Sequence, residues 1–86
     1  MEVDFTKSFV KQLEKMPVQK RKQVRAAVAL FMVDVAAPAL RNHKLKGRWL
    51  GYSSISAGGD LRLHFKVVTK NSVLFVEVGT HSQLYK

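Results

Sequence analysis

Cysteine is absent from this chain, and so is any run of about 18 apolar residues that could cross a membrane. Without thiols the protein can form neither disulfides nor thiolate metal sites, and nothing in its composition requires an oxidising compartment. The N-terminus, Met1-Glu2-Val3-Asp4, begins with acids, whereas a secretory signal begins with basic residues. We therefore predict a cytoplasmic protein with no membrane partner.

Acidic residues are scarce: 6 Asp and Glu stand against 15 Lys and Arg, which gives a formal net charge of +9. A small protein with this charge attracts polyanions, because its contacts with phosphates release counterions from nucleic acid. Nucleic acid is the favoured partner, and the alternatives are an acidic protein or a merely solubilising surface. The candidate nucleic-acid contacts are Lys20, Arg21, Lys22 and Arg25, then Lys44, Lys46 and Arg48, and finally Lys66.

The length of 86 residues, 47% of them apolar, suffices for one modest core but not for two, so we predict one domain over residues 1–86. Val3 to Phe5 could form a short strand. Apolar residues at helical spacing then predict a first helix with Thr6 as its N-cap: Phe5, Phe9, Leu13 and Met16. Pro17 begins a second helix and Pro38 ends it. Its apolar face comprises Val24, Ala27, Val28, Phe31, Met32 and Val35.

The second half of the chain has the pattern of strands. Residues 49–57 predict one strand, and Gly58-Gly59-Asp60 predicts a hairpin turn. Apolar and polar residues then alternate, which places Leu61, Leu63, Phe65 and Val67 inward and Arg62, His64 and Lys66 on an open face. Lys70-Asn71-Ser72 is a turn before a last strand, residues 73–79.

These elements predict an α+β fold. An N-terminal helical hairpin packs on an antiparallel β-sheet, which consists of the short N-terminal strand and a three-stranded C-terminal meander. The open face of such a sheet could hold a single-stranded RNA.

Histidine and arginine are the residues that could cleave RNA without a metal. The reaction drives a 2′-hydroxyl onto the adjacent phosphate, and it needs a base, an acid and a cation. His43 and His81 lie at loop ends, where functional groups tend to sit, whereas His64 lies mid-strand and is interpreted as a packed or surface residue. Arg62 suits the phosphate and Tyr85 could stack on a base or donate a proton.

Each of these residues has a simpler interpretation. His43 could be a turn residue that bonds the backbone, Arg62 could form a cross-strand ion pair with Glu77, and Tyr85 could anchor the C-terminus. Trp49 and Tyr52 are interpreted as packing residues. The sequence has no paired-carboxylate or His-x-x-His spacing and no glycine-rich phosphate loop, so we expect neither a metal nor a cofactor.

Three segments together resemble the RelE/ParE superfamily of toxins, in its YafQ branch. They are Asn42-His43-Lys44-Leu45-Lys46-Gly47-Arg48-Trp49-Leu50-Gly51-Tyr52, then Gly59-Asp60-Leu61-Arg62, then Val78-Gly79-Thr80-His81-Ser82-Gln83-Leu84-Tyr85. The resemblance implies the RelE-like fold and a type II toxin–antitoxin pair. It also implies a ribosome-dependent mRNA endoribonuclease, with contacts to mRNA and rRNA, that is neutralised by a cognate antitoxin wrapped around it.

The resemblance also implies a set of site residues. The family's functional positions fall on His43, Asp60, His81 and Tyr85, and a RelE-type arginine falls on Arg62.

Other positions depart from the family pattern. A YafQ-type histidine is replaced by Ser56 and a YafQ-type arginine by Glu77, while Ser53 and Leu61 replace an arginine and a tryptophan. These departures leave two alternatives: a degenerate or ParE-like toxin that binds its antitoxin or DNA gyrase without cleaving RNA, and a general RNA-binding module.

Overall fold

The computed structural model describes residues 1–85 as three helices and five strands; Lys86, the last residue of the predicted domain, lies outside the described residues. In chain order the elements are β1 (Glu2–Phe5), α1 (Lys7–Glu14), α2 (Val18–Val33), β2 (His43–Lys44), β3 (Ser53–Ser56), β4 (Leu61–Thr69), β5 (Ser72–Thr80) and α3 (His81–Leu84). Short 3₁₀ turns occupy Pro38–Leu40 and Gly47–Trp49. No helix among residues 1–85 is long and apolar enough to cross a membrane.

The strands form one sheet in the order β1-β5-β4-β3-β2. The predicted α+β class and the meander of β3, β4 and β5 are confirmed, because these three strands pair antiparallel in sequence order. Two features were not predicted. β1 pairs parallel with β5, and the two-residue β2 adds a fifth strand beside β3.

The helical hairpin covers one face of the sheet. Thr6 caps α1 as predicted, since its Oγ1 accepts a hydrogen bond of 3.1 Å from the Phe9 amide. Phe31 of α2 packs edge-on against Phe65 and Phe75, with ring centroids 5.0 and 5.4 Å away. These aromatic rings form the centre of the core that joins the helices to β4 and β5.

The second helix ends earlier than Pro38. It ends at Val33 because Asp34 has an extended backbone and its side chain accepts a hydrogen bond of 3.0 Å from the Ala36 amide. Such local side-chain bonding competes with the helix. Two residues of the predicted apolar face are exposed: Met32, within α2, is 52% accessible, and Val35, beyond its end, is 39% accessible.

The prediction of one strand over residues 49–57 is wrong. Trp49 ends a 3₁₀ turn, and Gly51 follows with a φ of 93°, a conformation that favours glycine. β3 therefore begins only at Ser53. Along β4, Leu61, Leu63 and Phe65 are buried as predicted, whereas Val67, close to the end of the hairpin, is 64% exposed.

Candidate active site

His64 lies at the centre of the sheet face opposite the helices. Its neighbours Leu63 and Phe65 belong to the core, so the alternation of the strand directs His64 to the other face. We predicted that this face would be open, and for His64 that prediction is wrong because its side chain is 0% exposed. The rings of Trp49 and Tyr85 cover it, with centroids 4.5 and 5.3 Å from the imidazole.

The last helix brings Tyr85 over the sheet. Thr80 and Gln83 form a capping box that begins α3 directly after β5, and Tyr85 is the C-cap. The indole N–H of Trp49 donates a hydrogen bond of 3.2 Å to the Leu84 carbonyl. The turn before β3 and the end of α3 are thereby joined above His64.

The buried imidazole is neutral at physiological pH. Burial lowers the pKa of His64 from 6.5 to about 4; Glu77 acts to raise it, whereas His43 and His81 lower it further. Its Nε2 lies 3.3 Å from the Tyr85 hydroxyl. His64 can therefore donate a hydrogen bond to Tyr85 or accept one from it, but it cannot serve as a cation.

Tyr85 links the buried histidine to an exposed one. The rings of His81 and Tyr85 lie 4.4 Å apart between centroids, and His81 is exposed. Burial raises the pKa of the Tyr85 phenol, and the charge of Arg62 partly opposes this. The phenol therefore keeps its proton at neutral pH and can act as a hydrogen-bond donor.

Arg62 is held beside this cluster by the β3–β4 turn. Its Nη1 donates to Ser56 Oγ at 3.3 Å, to the Gly59 carbonyl at 2.9 Å and to the Leu61 carbonyl at 3.0 Å. These bonds all fix the guanidinium through Nη1. Its other nitrogens carry further N–H groups. The alternative of an ion pair with Glu77 is wrong, because Arg62 donates to the turn while the Glu77 carboxylate accepts hydrogen bonds from Ser8 and Gln12 of α1.

The environment of His43 fixes its tautomer. The side chain is exposed on β2, and its Nδ1 lies 2.8 Å from the Arg41 carbonyl oxygen. A carbonyl oxygen only accepts hydrogen bonds, so Nδ1 carries the proton and Nε2 of the neutral ring is the acceptor. The predicted contact with the backbone is thus present, and it leaves a basic nitrogen accessible.

The remaining predicted residues lie in two regions. Asp60 is exposed in the turn before β4, and the exposed cations Lys44, Lys46 and Arg48 follow His43 along the chain, with Lys66 exposed on β4. The other cations lie on α2, in the layer across the sheet from His64: Lys20, Lys22 and Arg25 are exposed, and Arg21 donates to the Met16 carbonyl at 2.7 Å. Lys20 borders a groove of about 460 Å³ that Thr80 and Gln83 also line.

Among residues 1–85, no group of at least three His, Cys, Asp or Glu could hold a metal ion.

The whole chain, residues 1–86, matches the family model of the bacterial toxin of type II toxin-antitoxin system, YafQ. The chain belongs to the YafQ toxin family. Among curated proteins, none matches the chain significantly.

Solved structures have the same fold as this YafQ-family toxin. YafQ from E. coli strain BL21(DE3) gives a TM-score of 0.80 at 21% identity, over 99% of this chain and 98% of that chain. A YoeB/ParE toxin from Agrobacterium tumefaciens gives 0.77 at 16% identity, over 94% and 99%. YafQ in the E. coli DinJ-YafQ complex gives 0.73 at 22% identity, over 99% and 98%.

Two departures from the YafQ pattern have a structural explanation. The hydroxyl of Ser56, at a position where YafQ-like toxins have histidine, accepts a hydrogen bond from Arg62. Both carboxylate oxygens of Glu77 accept hydrogen bonds from α1, from Ser8 at 2.8 Å and from Gln12 at 2.9 Å. In this YafQ-family toxin, Ser56 therefore contributes to placing the arginine, and Glu77 contributes to docking a helix.

Reasoning from sequence missed the centre of the site. His64 was interpreted as a packed or surface residue and Trp49 as a packing residue, yet together they join Tyr85 to the sheet. The available signal was a histidine flanked by two core residues, Leu63 and Phe65, in a strand whose outward face also carries Arg62.

Proposed function

We propose that this YafQ-family toxin is a metal-independent, ribosome-dependent mRNA endoribonuclease. The observation that carries the proposal is the convergence of His81, Tyr85 and Arg62 around the buried His64, with His43 near enough to affect its pKa. An exposed basic nitrogen, exposed proton donors and a fixed guanidinium are the groups that cleavage by a 2′-hydroxyl requires.

The histidines share the proton transfers. Nε2 of His43 accepts the proton of the 2′-hydroxyl, whose oxygen attacks the adjacent phosphorus. The bond to the 5′-oxygen breaks, and His81 in its protonated form gives that oxygen a proton. The products are a 2′,3′-cyclic phosphate and a 5′-hydroxyl. Arg62 stabilises the charge on the phosphate oxygens, and Tyr85 orients or stacks the base.

The exposed cations hold the RNA backbone. Lys44, Lys46 and Arg48 follow His43 directly, so they are suited to the phosphates that flank the scissile bond. Lys66 and the cations of α2 are suited to more distant mRNA or rRNA phosphates. Asp60 stays a candidate through its family position alone, and we expect Asp60→Asn to affect cleavage less than His81→Ala does.

A cognate antitoxin is the second partner that we propose. Family membership implies a toxin–antitoxin pair, and the relative of known structure was solved as a complex of YafQ with DinJ. A net charge of +9 favours an antitoxin segment rich in acidic residues.

The proposed reaction can be tested with purified components. The toxin is incubated with ribosomes and a defined message, and the cut ends are mapped by primer extension and tested for a cyclic phosphate. We expect cuts only with ribosomes present, and loss of cuts in His43→Ala and His81→Ala but not in the neighbouring Ser82→Ala. Failure of a correctly folded wild type to cut any message would overturn the proposal.

A non-catalytic toxin that binds its antitoxin or DNA gyrase is the second candidate. Ser56 and Glu77 favour it, because one removes a histidine and the other reverses a charge at positions that YafQ-like toxins use. Growth arrest that survives both His81→Ala and Arg62→Ala, or direct inhibition of gyrase, would support this candidate over the endoribonuclease.

A further inference from the structure

Two buried polar atoms without a partner belong to residues that are paired across β3 and β4. Among the side-chain atoms of residues 1–85, the buried ones without a hydrogen-bond partner are Ser54 Oγ and His64 Nδ1. Ser54 is 1% and His64 0% exposed, and the two residues are paired across β3 and β4. Side chains paired in this way share a sheet face, with their Cβ atoms about 5 Å apart.

The two atoms are chemically complementary. An unsatisfied buried polar atom costs about 1–3 kcal/mol, so two neighbouring ones are strongly driven to satisfy each other. A serine hydroxyl can donate to an imidazole nitrogen after rotation about χ1, or through one bridging water. If instead the Nδ1–H of His64 donated to Ser54 Oγ, the ring would offer no acceptor to the serine hydroxyl, and the hydroxyl hydrogen would remain buried and unpaired.

We propose that Ser54 and His64 are positioning residues for Tyr85. The Ser54 hydroxyl donates to Nδ1 of His64 and thereby places the single ring proton on Nε2. That N–H donates to the Tyr85 oxygen across the observed 3.3 Å. The phenol's own hydrogen then points away from the sheet, toward RNA bound on this face.

One further contact supports this arrangement. The Trp49 ring, 4.5 Å from the imidazole, keeps the imidazole plane fixed and excludes water from it. A hydrogen bond to the phenolic oxygen also polarises the O–H bond, so it makes Tyr85 a stronger hydrogen-bond donor to RNA. The charged or titratable groups that act on this pair are Glu77, His43 and His81 on the imidazole and Arg62 on the phenol.

The first test reads the tautomer directly and needs no RNA. In ¹⁵N-labelled full-length toxin at pH 7, long-range ¹H–¹⁵N correlations distinguish a protonated ring nitrogen from an unprotonated one. We expect His64 to be protonated at Nε2 and unprotonated at Nδ1, and Ser54→Ala to erode this preference. A wild-type His64 that is protonated at Nδ1, or at both nitrogens, would overturn the proposal.

The second test rests on the proposed function and separates positioning from simple packing. We expect Ser54→Ala and His64→Phe each to lower kcat about tenfold, the loss of one hydrogen bond, with KM unchanged. In a Tyr85→Phe background the same changes should have no further effect. In the otherwise wild-type toxin, Ser54→Thr keeps a hydroxyl and should therefore retain the activity that Ser54→Ala loses. Equal losses in both backgrounds would mean that the two residues act through stability alone. If the toxin cuts no RNA at all, the proposed function fails while the tautomer measurement still decides the proposal.

Discussion

The three histidines lie in different surroundings, and these surroundings decide which of them could meet a substrate. His43 is exposed and a carbonyl sets its tautomer, His81 is exposed against the Tyr85 ring, and His64 is buried beneath two aromatic rings. The first two can exchange protons with a substrate, whereas the third cannot reach one. In the proposed function, the same type of side chain therefore serves as a base, an acid and a neutral support.

Burial of His64 has a consequence for stability that can be measured. Its pKa is about 4 in the folded protein and 6.5 when unfolded, so between these values only the unfolded chain takes up the proton. The contribution of the neutral His64 to the stability of the folded protein is therefore complete above pH 6.5 and is lost as the pH falls toward 4. We expect this group to lower the free energy of unfolding by at most about 3 kcal/mol over that interval, as urea titrations at several pH values would record.

His64→Phe is the matched variant, since it keeps an aromatic ring against Trp49 and cannot titrate. We expect its stability to fall less steeply than that of the wild type between pH 6.5 and pH 4. The exposed Ser82→Ala, which does not act on the His64 pKa, should retain the wild-type slope. Identical slopes in wild type and His64→Phe would contradict a neutral, buried His64.

At the scale of elements, one glutamine holds α1 against β5. β1 ends at Phe5, so the amide of Val78 on β5 lies beyond that strand, and it donates to Gln12 Oε1 at 2.8 Å. Gln12 Nε2 donates in turn to Glu77. We expect Gln12→Ala to cost about 1–3 kcal/mol in thermal unfolding, because it leaves the Val78 amide unsatisfied. The exposed Lys11→Ala should change stability little, and an equal loss in both variants would refute this role.

A glycine gives α3 its place on the sheet. A Cβ added at Gly79 would lie 2.8 Å from Gln83 Oε1, the atom that accepts the Thr80 amide in the capping box. We expect Gly79→Ala to displace Gln83, cost about 1 kcal/mol and loosen Tyr85, with tryptophan fluorescence reporting the change at Trp49. Gly79→Ala that leaves both stability and fluorescence unchanged would show that α3 docks without this contact.

The sequence predicted elements well where a local rule governs them. Thr6 and the apolar spacing of α1 predicted its start, and the alternation along β4 predicted the burial of Leu61, Leu63 and Phe65. It failed where distant contacts decide. Each residue of β1 pairs with a residue of β5 that lies 70 positions later in the chain, and His64 is buried by Trp49 and Tyr85, which lie far from it in sequence. His43, His81, Tyr85 and Arg62 are candidates from the sequence because each residue type suits the chemistry of RNA cleavage, whereas Ser54 offers no such signal.

At the scale of the molecule, the positive charge is present on both layers. Lys44 and Lys46 follow His43 along the chain, whereas Lys22 and Arg25 lie on α2. If the first group binds RNA phosphates, each lysine removed should reduce the dependence of log affinity on log salt by roughly one. For binding to ribosomes that carry mRNA, we expect Lys44→Ala and Lys46→Ala each to reduce this salt dependence, and Lys22→Ala to reduce it less. A larger effect of Lys22→Ala would place the main contact on the helical layer.

The central claim is that the cluster around His64 cleaves mRNA on the ribosome. The most direct test is inducible expression of wild type, His81→Ala and the neighbouring Ser82→Ala, followed by primer extension on a reporter message. We expect ribosome-dependent cuts in wild type and Ser82→Ala that disappear in His81→Ala. Growth arrest without any cuts in the wild type, or cuts that persist in His81→Ala, would contradict the account.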